Sequence, residues 1–127
     1  MIQLESVLYF LEELFGARDH PDYPEALNGL QVEGAPRIRR FGAAVDASEE
    51  TISEAVRREI DFLLVHHGLF WDGLKPITGP RYQKVATLIR GNVSLYGLHL
   101  PLDAHREFGN NVLLMGEIGL QPEGRFA

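Results

Sequence analysis

Apolar residues recur at three- and four-residue spacing near the start of the chain, at Leu4, Val7, Leu8, Leu11, Leu14 and Phe15. That period predicts an amphipathic helix from Ile2 to Phe15, ended by Gly16. Two prolines then break any regular ladder in Asp19-His-Pro-Asp-Tyr-Pro24, which is a loop. Asn28-Gly-Leu-Gln-Val-Glu-Gly34 is a turn entering an extended segment. Phe41-Gly-Ala-Ala-Val45 is short, apolar and continuous, as a buried strand is. Ser48 caps the helix that follows, and Glu49 and Glu50 suit the positive end of its dipole. Ile52, Ala55 and Val56 form its inward face as far as about Glu59.

The same alternation repeats downstream. Phe62 to Val65 is a second apolar strand, and a loop rich in Gly and Pro separates it from a helix over Arg81 to Arg90. That helix turns Val85, Leu88 and Ile89 inward and stops at Gly91. Val93 to Leu98 is a third strand. A last helix from Asn110 to Ile118 is expected to bury Val112, Leu113, Met115 and Ile118 before Gly119 ends it. Apolar strands alternating with amphipathic helices after one leading helix predict an α/β fold with a mostly parallel sheet and right-handed crossovers. Residues 1–120 form the α/β domain of this reading, and 121–127 a linker-like tail that looks cut at a domain boundary.

Composition narrows the function classes. The chain has 127 residues, enough for one domain with a sizeable core. Its formal net charge is −6, and no stretch concentrates basic residues beyond Arg37, Arg39 and Arg40. That balance argues against nucleic acid and anionic membrane as partners. No apolar run approaches the roughly 20 residues that span a bilayer, and the N-terminus lacks the pattern of a signal peptide. The absence of cysteine removes disulfides, thiolate metal sites and cysteine nucleophiles. A cytoplasmic, acidic, soluble domain is the expectation.

The candidate chemistry sits where the strands end. His66 and His67 close the second strand, and His99 and Asp103 follow the third. Parallel strands deliver such ends to one edge, where open α/β sheets hold their ligands. A metal site is the leading reading. Imidazole and carboxylate together suit Zn, Fe, Mn, Co or Ni and disfavour Ca and Mg. Adjacent residues of an extended segment point to opposite sides, so His66 and His67 share one ion only if the chain turns at Gly68, or else serve separate ions. Asp103 has the chemistry of a carboxylate bridging two ions about 3.5–4 Å apart. A lone histidine at a strand end is more often a hydrogen-bonded structural residue, and His105 and His20 are expected to be loop residues without a role. Phe70 and Trp71 are expected to cover the sheet edge, and Arg81 and Lys84 could hold phosphate.

Five segments stand together in order: Leu27-Asn-Gly-Leu-Gln-Val-Glu-Gly34, Ala44-Val-Asp-Ala-Ser48, Val65-His-His-Gly-Leu-Phe-Trp71, Leu95-Tyr-Gly-Leu-His-Leu-Pro-Leu-Asp-Ala-His105 and Gly109-Asn-Asn-Val112. In combination they closely resemble the Nif-three-like dinuclear metal-centre family, whose bacterial members are type 2 homologues of GTP cyclohydrolase I. The resemblance implies a three-layer αβα sandwich, one lobe of a two-lobed fold. It implies two divalent metal ions held by His66, His67 and the bridging Asp103. His99 is then a catalytic residue, a support behind the ligands or a substrate-facing group. The resemblance further implies a homo-oligomer of hexameric type acting on a small nucleotide by metal-assisted hydrolysis. Family members are about twice this length, and their second half supplies a further histidine and glutamate. Two alternatives to a hydrolase therefore stand: a non-catalytic metal-binding, regulatory or chaperone module, and a truncated half-site whose histidines are structural.

Overall fold

The computed structural model describes residues 1–124, so the last three positions of the expected tail lie outside the described residues. A short strand β1 (Ile2–Gln3) pairs antiparallel with β3 (Arg37–Ile38), and helix α1 runs from Leu4 to Phe15. The main sheet contains β2 (Gly29–Val32), β4 (Phe41–Asp46), β5 (Phe62–His67) and β6 (Ser94–Gly97). Helices α2 (Glu49–Arg57), α3 (Gly79–Arg90), α4 (Leu100–Asp103) and α5 (Asn110–Glu117) complete the described elements. Strand order is β2-β6-β5-β4, with β4, β5 and β6 parallel and β2 antiparallel at the edge.

Local chemistry explains most boundaries. Gly16 closes α1 in the left-handed conformation at φ 58°, where a Cβ would be strained, and its N–H reaches Glu12 O at 2.8 Å. Ser48 caps α2, its Oγ accepting from Thr51 N at 3.0 Å. Pro80 lies in the first turn of α3, where its missing N–H costs nothing.

Alternation along the strands divides the core into two layers. Leu63 and Val65 of β5, with Leu95 of β6, face Ile52 and Ala55 of α2 and Leu88 of α3. Phe62 and Tyr96 face the opposite way, against Leu4 and Leu11 of α1. Helices therefore cover both faces of a mostly parallel sheet, the αβα arrangement expected. Leu88, Leu95 and Phe62 have no solvent exposure, and each such side chain contributes about 1.5–3 kcal/mol by leaving water.

Several expected details differ. The leading helix begins at Leu4 because Ile2 and Gln3 pair with β3 instead. The extended segment after Asn28 is a strand of the main sheet, bulged between Leu30 and Val32. Between the third strand and the last helix, Leu100–Asp103 adds a short helix, with Pro101 opening the turn. Ile89 is 57% exposed because α3 needs only Leu88 and Val85 to meet the sheet. Helix α5 buries no residue: Leu113 is 53% and Ile118 64% exposed, so its apolar face finds no cover among the described residues.

Candidate metal centre

Strand β5 carries both adjacent histidines to its last two positions, and the register sets His67 beside Asp46 of β4. Strand β6 ends where Gly97 pairs with Val65, so His99 follows at the same edge. Alternation leaves His66 half-buried and His67 exposed, yet their ring centroids stand 4.6 Å apart. His99 completes the group at 4.9 Å from His66 and 5.7 Å from His67. One ring nitrogen from each of the three lies within 4.8 Å of the others. Although neighbours along a strand point to opposite sides, the His66 and His67 rings meet at the strand end closely enough to offer one nitrogen each to a shared ion.

Each imidazole is anchored through Nδ1 by a different oxygen. His66 Nδ1 lies 3.0 Å from Leu98 O, the carbonyl of the adjacent strand's exit. His67 Nδ1 lies 2.7 Å from Asp46 Oδ1. His99 Nδ1 lies 2.9 Å from Asp22 Oδ1. A carbonyl or an ionised carboxylate accepts, so Nδ1 is the donor in each pair; Nε2 of His66 in turn faces Asp103. A histidine whose far nitrogen is held by a carboxylate or carbonyl is oriented and made more basic as a metal ligand.

Asp103 approaches from α4. Its Oδ2 is 3.5 Å from His66 Nε2, and its Oδ1 accepts from Asn110 Nδ2 at 2.7 Å. It stands beside the histidine trio rather than within it. Trp71 packs on the trio as well: its indole meets His99 edge-on at 4.4 Å and lies 5.8 Å from His67. Trp71 Nε1 donates to Gly68 O at 2.9 Å, which fixes the ring against the imidazoles. Phe70, expected at the sheet edge, packs against the α2–α3 core layer.

Two participants carried no role in the sequence reading. Asp22 comes from the proline-rich loop, and its side chain is only 4% exposed. Burial alone would raise its carboxyl pKa, but bonds from Asn28, His99 and the backbone of Tyr23 and Leu100 hold it below the usual range. Asn28 also accepts from His99 N at 2.8 Å, so the Asn-Gly turn braces the same loop. Asp46 lies in the Ala44–Ser48 segment, and only the sheet register exposes its partnership with His67. A carboxylate 21 positions before a histidine is no recognisable motif. His105 and His20 stay outside the cluster. His105 accepts from Glu107 N and Phe108 N at 3.2 and 3.0 Å, making it a turn-forming residue.

These features define a class: an α/β domain with a histidine cluster at the carboxyl edge of a mostly parallel sheet. Residues 2–127 match the family model Duf34/NIF3 (NGG1p interacting factor 3), and the chain belongs to that family. It is 42% identical over 125 residues to the GTP cyclohydrolase 1 type 2 homolog of Archaeoglobus fulgidus, covering 98% of this chain and 50% of that protein. The homologue of the same description from Deinococcus radiodurans is 48% identical over 106 residues, covering 80% of this chain and 40% of its own. Among solved structures, TTHA1606 from Thermus thermophilus superposes with TM-score 0.88 at 46% identity, covering 93% of this chain and 48% of that one. The chain thus spans about half the length of the curated relatives it matches. None of the described helices is long and apolar enough to cross a membrane.

Proposed function

We propose that this chain holds a dinuclear centre of divalent metal ions and contributes to metal-dependent hydrolysis of the GTP cyclohydrolase I type 2 class. The single observation that carries the reading is the shared anchoring of His66, His67 and His99: each Nδ1 meets an oxygen, which leaves three Nε2 lone pairs at one edge. The donor set fits a borderline metal such as Zn, Fe, Mn, Co or Ni. His66, His67 and Asp103 are the ligands, with Asp103 the carboxylate suited to bridge two ions. His99 either joins them or faces the substrate. A bound pair of ions would supply Lewis acidity and a water with pKa near 7.

The protein's own part is orientation. Asp22, Asp46 and Leu98 O fix the tautomers, and Trp71 screens His99 from solvent. The names of the relatives favour a purine nucleotide as substrate. Assembly of several copies would cover the outward Leu113 and Leu114 of α5 and Ile118 just beyond it.

A second reading, a metal carrier or regulatory module without turnover, is favoured by the exposure of the site. The side chains of His67 and Asp46 are 45% and 65% exposed, more than a closed catalytic pocket requires. Elemental mass spectrometry across a sizing column, followed by GTP turnover with added Zn, Mn, Fe or Co, tests both. The hydrolase reading expects close to two ions per chain and turnover that rises with metal. Metal uptake with flat turnover selects the carrier. Fewer than one ion per chain, unchanged by Asp103→Ala, would sink the metal centre itself.

A further inference from the structure

Trp71 meets the imidazoles, and it also lines a second compartment. That compartment is a cleft of ≈ 480 Å³ whose lining includes Trp71, Asp72, Lys75, Thr78, Arg81 and Lys84. Three cations and one carboxylate line it, in a chain whose formal net charge is −6. Such a local reversal of sign concentrates anions.

The two inner cations are held in place without a carboxylate in hydrogen-bond contact. Arg81 lies over the Phe70 ring at 4.9 Å and donates from Nη2 to Leu69 O at 3.0 Å. Its Nη1 stands 3.8 Å from Asp72, beyond hydrogen-bond reach, and its buried Nε has no partner among the described residues. Asp72 is instead engaged by Lys75. Lys84 Nζ donates to Ala47 O at 3.2 Å, while Glu50 feels its charge from farther off. Ala47 N in turn donates to His67 O at 3.0 Å, so Lys84 is linked through one residue to the histidine edge. The side chain of Thr78, at the start of α3, caps no N–H and lines the same cleft.

We propose that this cleft is an oxyanion subsite, in which Arg81 and Lys84 take the phosphate group of a small phosphorylated molecule whose remainder passes Trp71 to the metal centre. The identity of that remainder rests on the reading above; the phosphate contact does not. An ammonium and a guanidinium side by side match tetrahedral oxyanions in charge and donor geometry. Trp71 is the wall common to both compartments, so it would set the distance between phosphate and reacting group.

Trp71 is also the one tryptophan of the chain, which makes it the reporter. Metal-free protein, kept with a chelator, is titrated with inorganic phosphate while tryptophan fluorescence is read, with sodium chloride at matched ionic strength as control. The expected result is a saturable change with phosphate and none with chloride. Lys84→Gln and Arg81→Gln should each raise the apparent Kd about tenfold, the loss of one charge-assisted hydrogen bond. Arg106→Gln, which removes a cation outside this lining, should leave it unchanged. No saturable change, or equal changes with phosphate and chloride, or an unaltered Kd in Lys84→Gln, would overturn the subsite. Because the one hydrogen bond of Lys84 is to Ala47 O among the described residues, Lys84→Gln decides the matter even if Arg81→Gln fails to fold. Metal uptake is measured separately, so loss of the metal centre and loss of the phosphate subsite remain distinct results.

Discussion

At the strand ends, the Nδ1 atoms of His66, His67 and His99 each meet an oxygen. In the loop before α5, the Nδ1 of His105 meets two backbone N–H groups. The same side chain is therefore set in opposite tautomers within one small domain. Oxygen partners place the proton on Nδ1 and free Nε2 for a ligand; N–H partners occupy the Nδ1 lone pair and leave the proton on Nε2. His105 packs against Phe15 and Phe108 at ring distances of 5.0 and 5.1 Å, within the range the trio keeps internally, so proximity to rings does not separate the two environments. What the oxygen partners teach is that the atom behind a histidine decides which of its nitrogens is free to act as a ligand.

The harshest way to break this contrast is to exchange the two environments' fates. His66→Ala is expected to abolish stoichiometric metal uptake, whereas His105→Ala should retain it, both read by elemental mass spectrometry. Equal uptake in the two variants would end the distinction. Next in size come the oxygens themselves. Asp22→Asn and Asp46→Asn should weaken metal affinity about 10–100-fold, as loss of such partners does elsewhere. Asp22, almost wholly buried, should fall at the upper end, and the exposed Asp46 at the lower. Competition with a chromogenic chelator measures both, and an inverted order would mean that burial is not what strengthens the anchor.

A third carboxylate sharpens the comparison because it has the same kind of bonds and no histidine. Asp61 accepts from Arg39 N at 2.7 Å and Arg40 N at 2.9 Å. Burial alone would raise its pKa, but those bonds and the two guanidinium charges hold it below its ordinary value of 3.8. A depressed folded pKa gives stability that is whole above the unfolded value and is lost as pH falls through the folded one. Asp61→Ala should cost about 1–3 kcal/mol at neutral pH and flatten the acid limb of the stability curve below about pH 4. Metal uptake should not change. The smallest effect is expected for His105→Ala, which should lose only about 1 kcal/mol in urea unfolding, the worth of its turn.

The alternation of strand and helix was legible because each element carries its own period and its own stop. Ser48 before Glu49-Glu50, Gly91 after Arg90 and the run Phe62–Val65 act locally, and the structure keeps them all. The edge position of β2 was not legible, since nothing within Gly29–Val32 says that it pairs antiparallel with a strand far along the chain. The outward face of α5 escaped for a related reason: period shows which residues share a face, not what that face meets. At the site, His66, His67, His99 and Asp103 were visible as residue types at strand ends. Asp22 and Asp46 were not, because their role depends on a loop folding back and on a sheet register. The close approach of His66 to His67 was not legible either, because alternation sets the side each residue leaves from and not where two long rings meet.

The bond between His99 and Asp22 joins positions 77 apart in the sequence. Contacts that distant carry the loop-closure cost of all the chain between them. In a polypeptide growing from its N-terminus, Asp22 must wait for nearly the whole of this domain to be synthesised before its imidazole arrives. A chain cut between the two positions would have to bring two fragments together before His99 met the carboxylate that orients it.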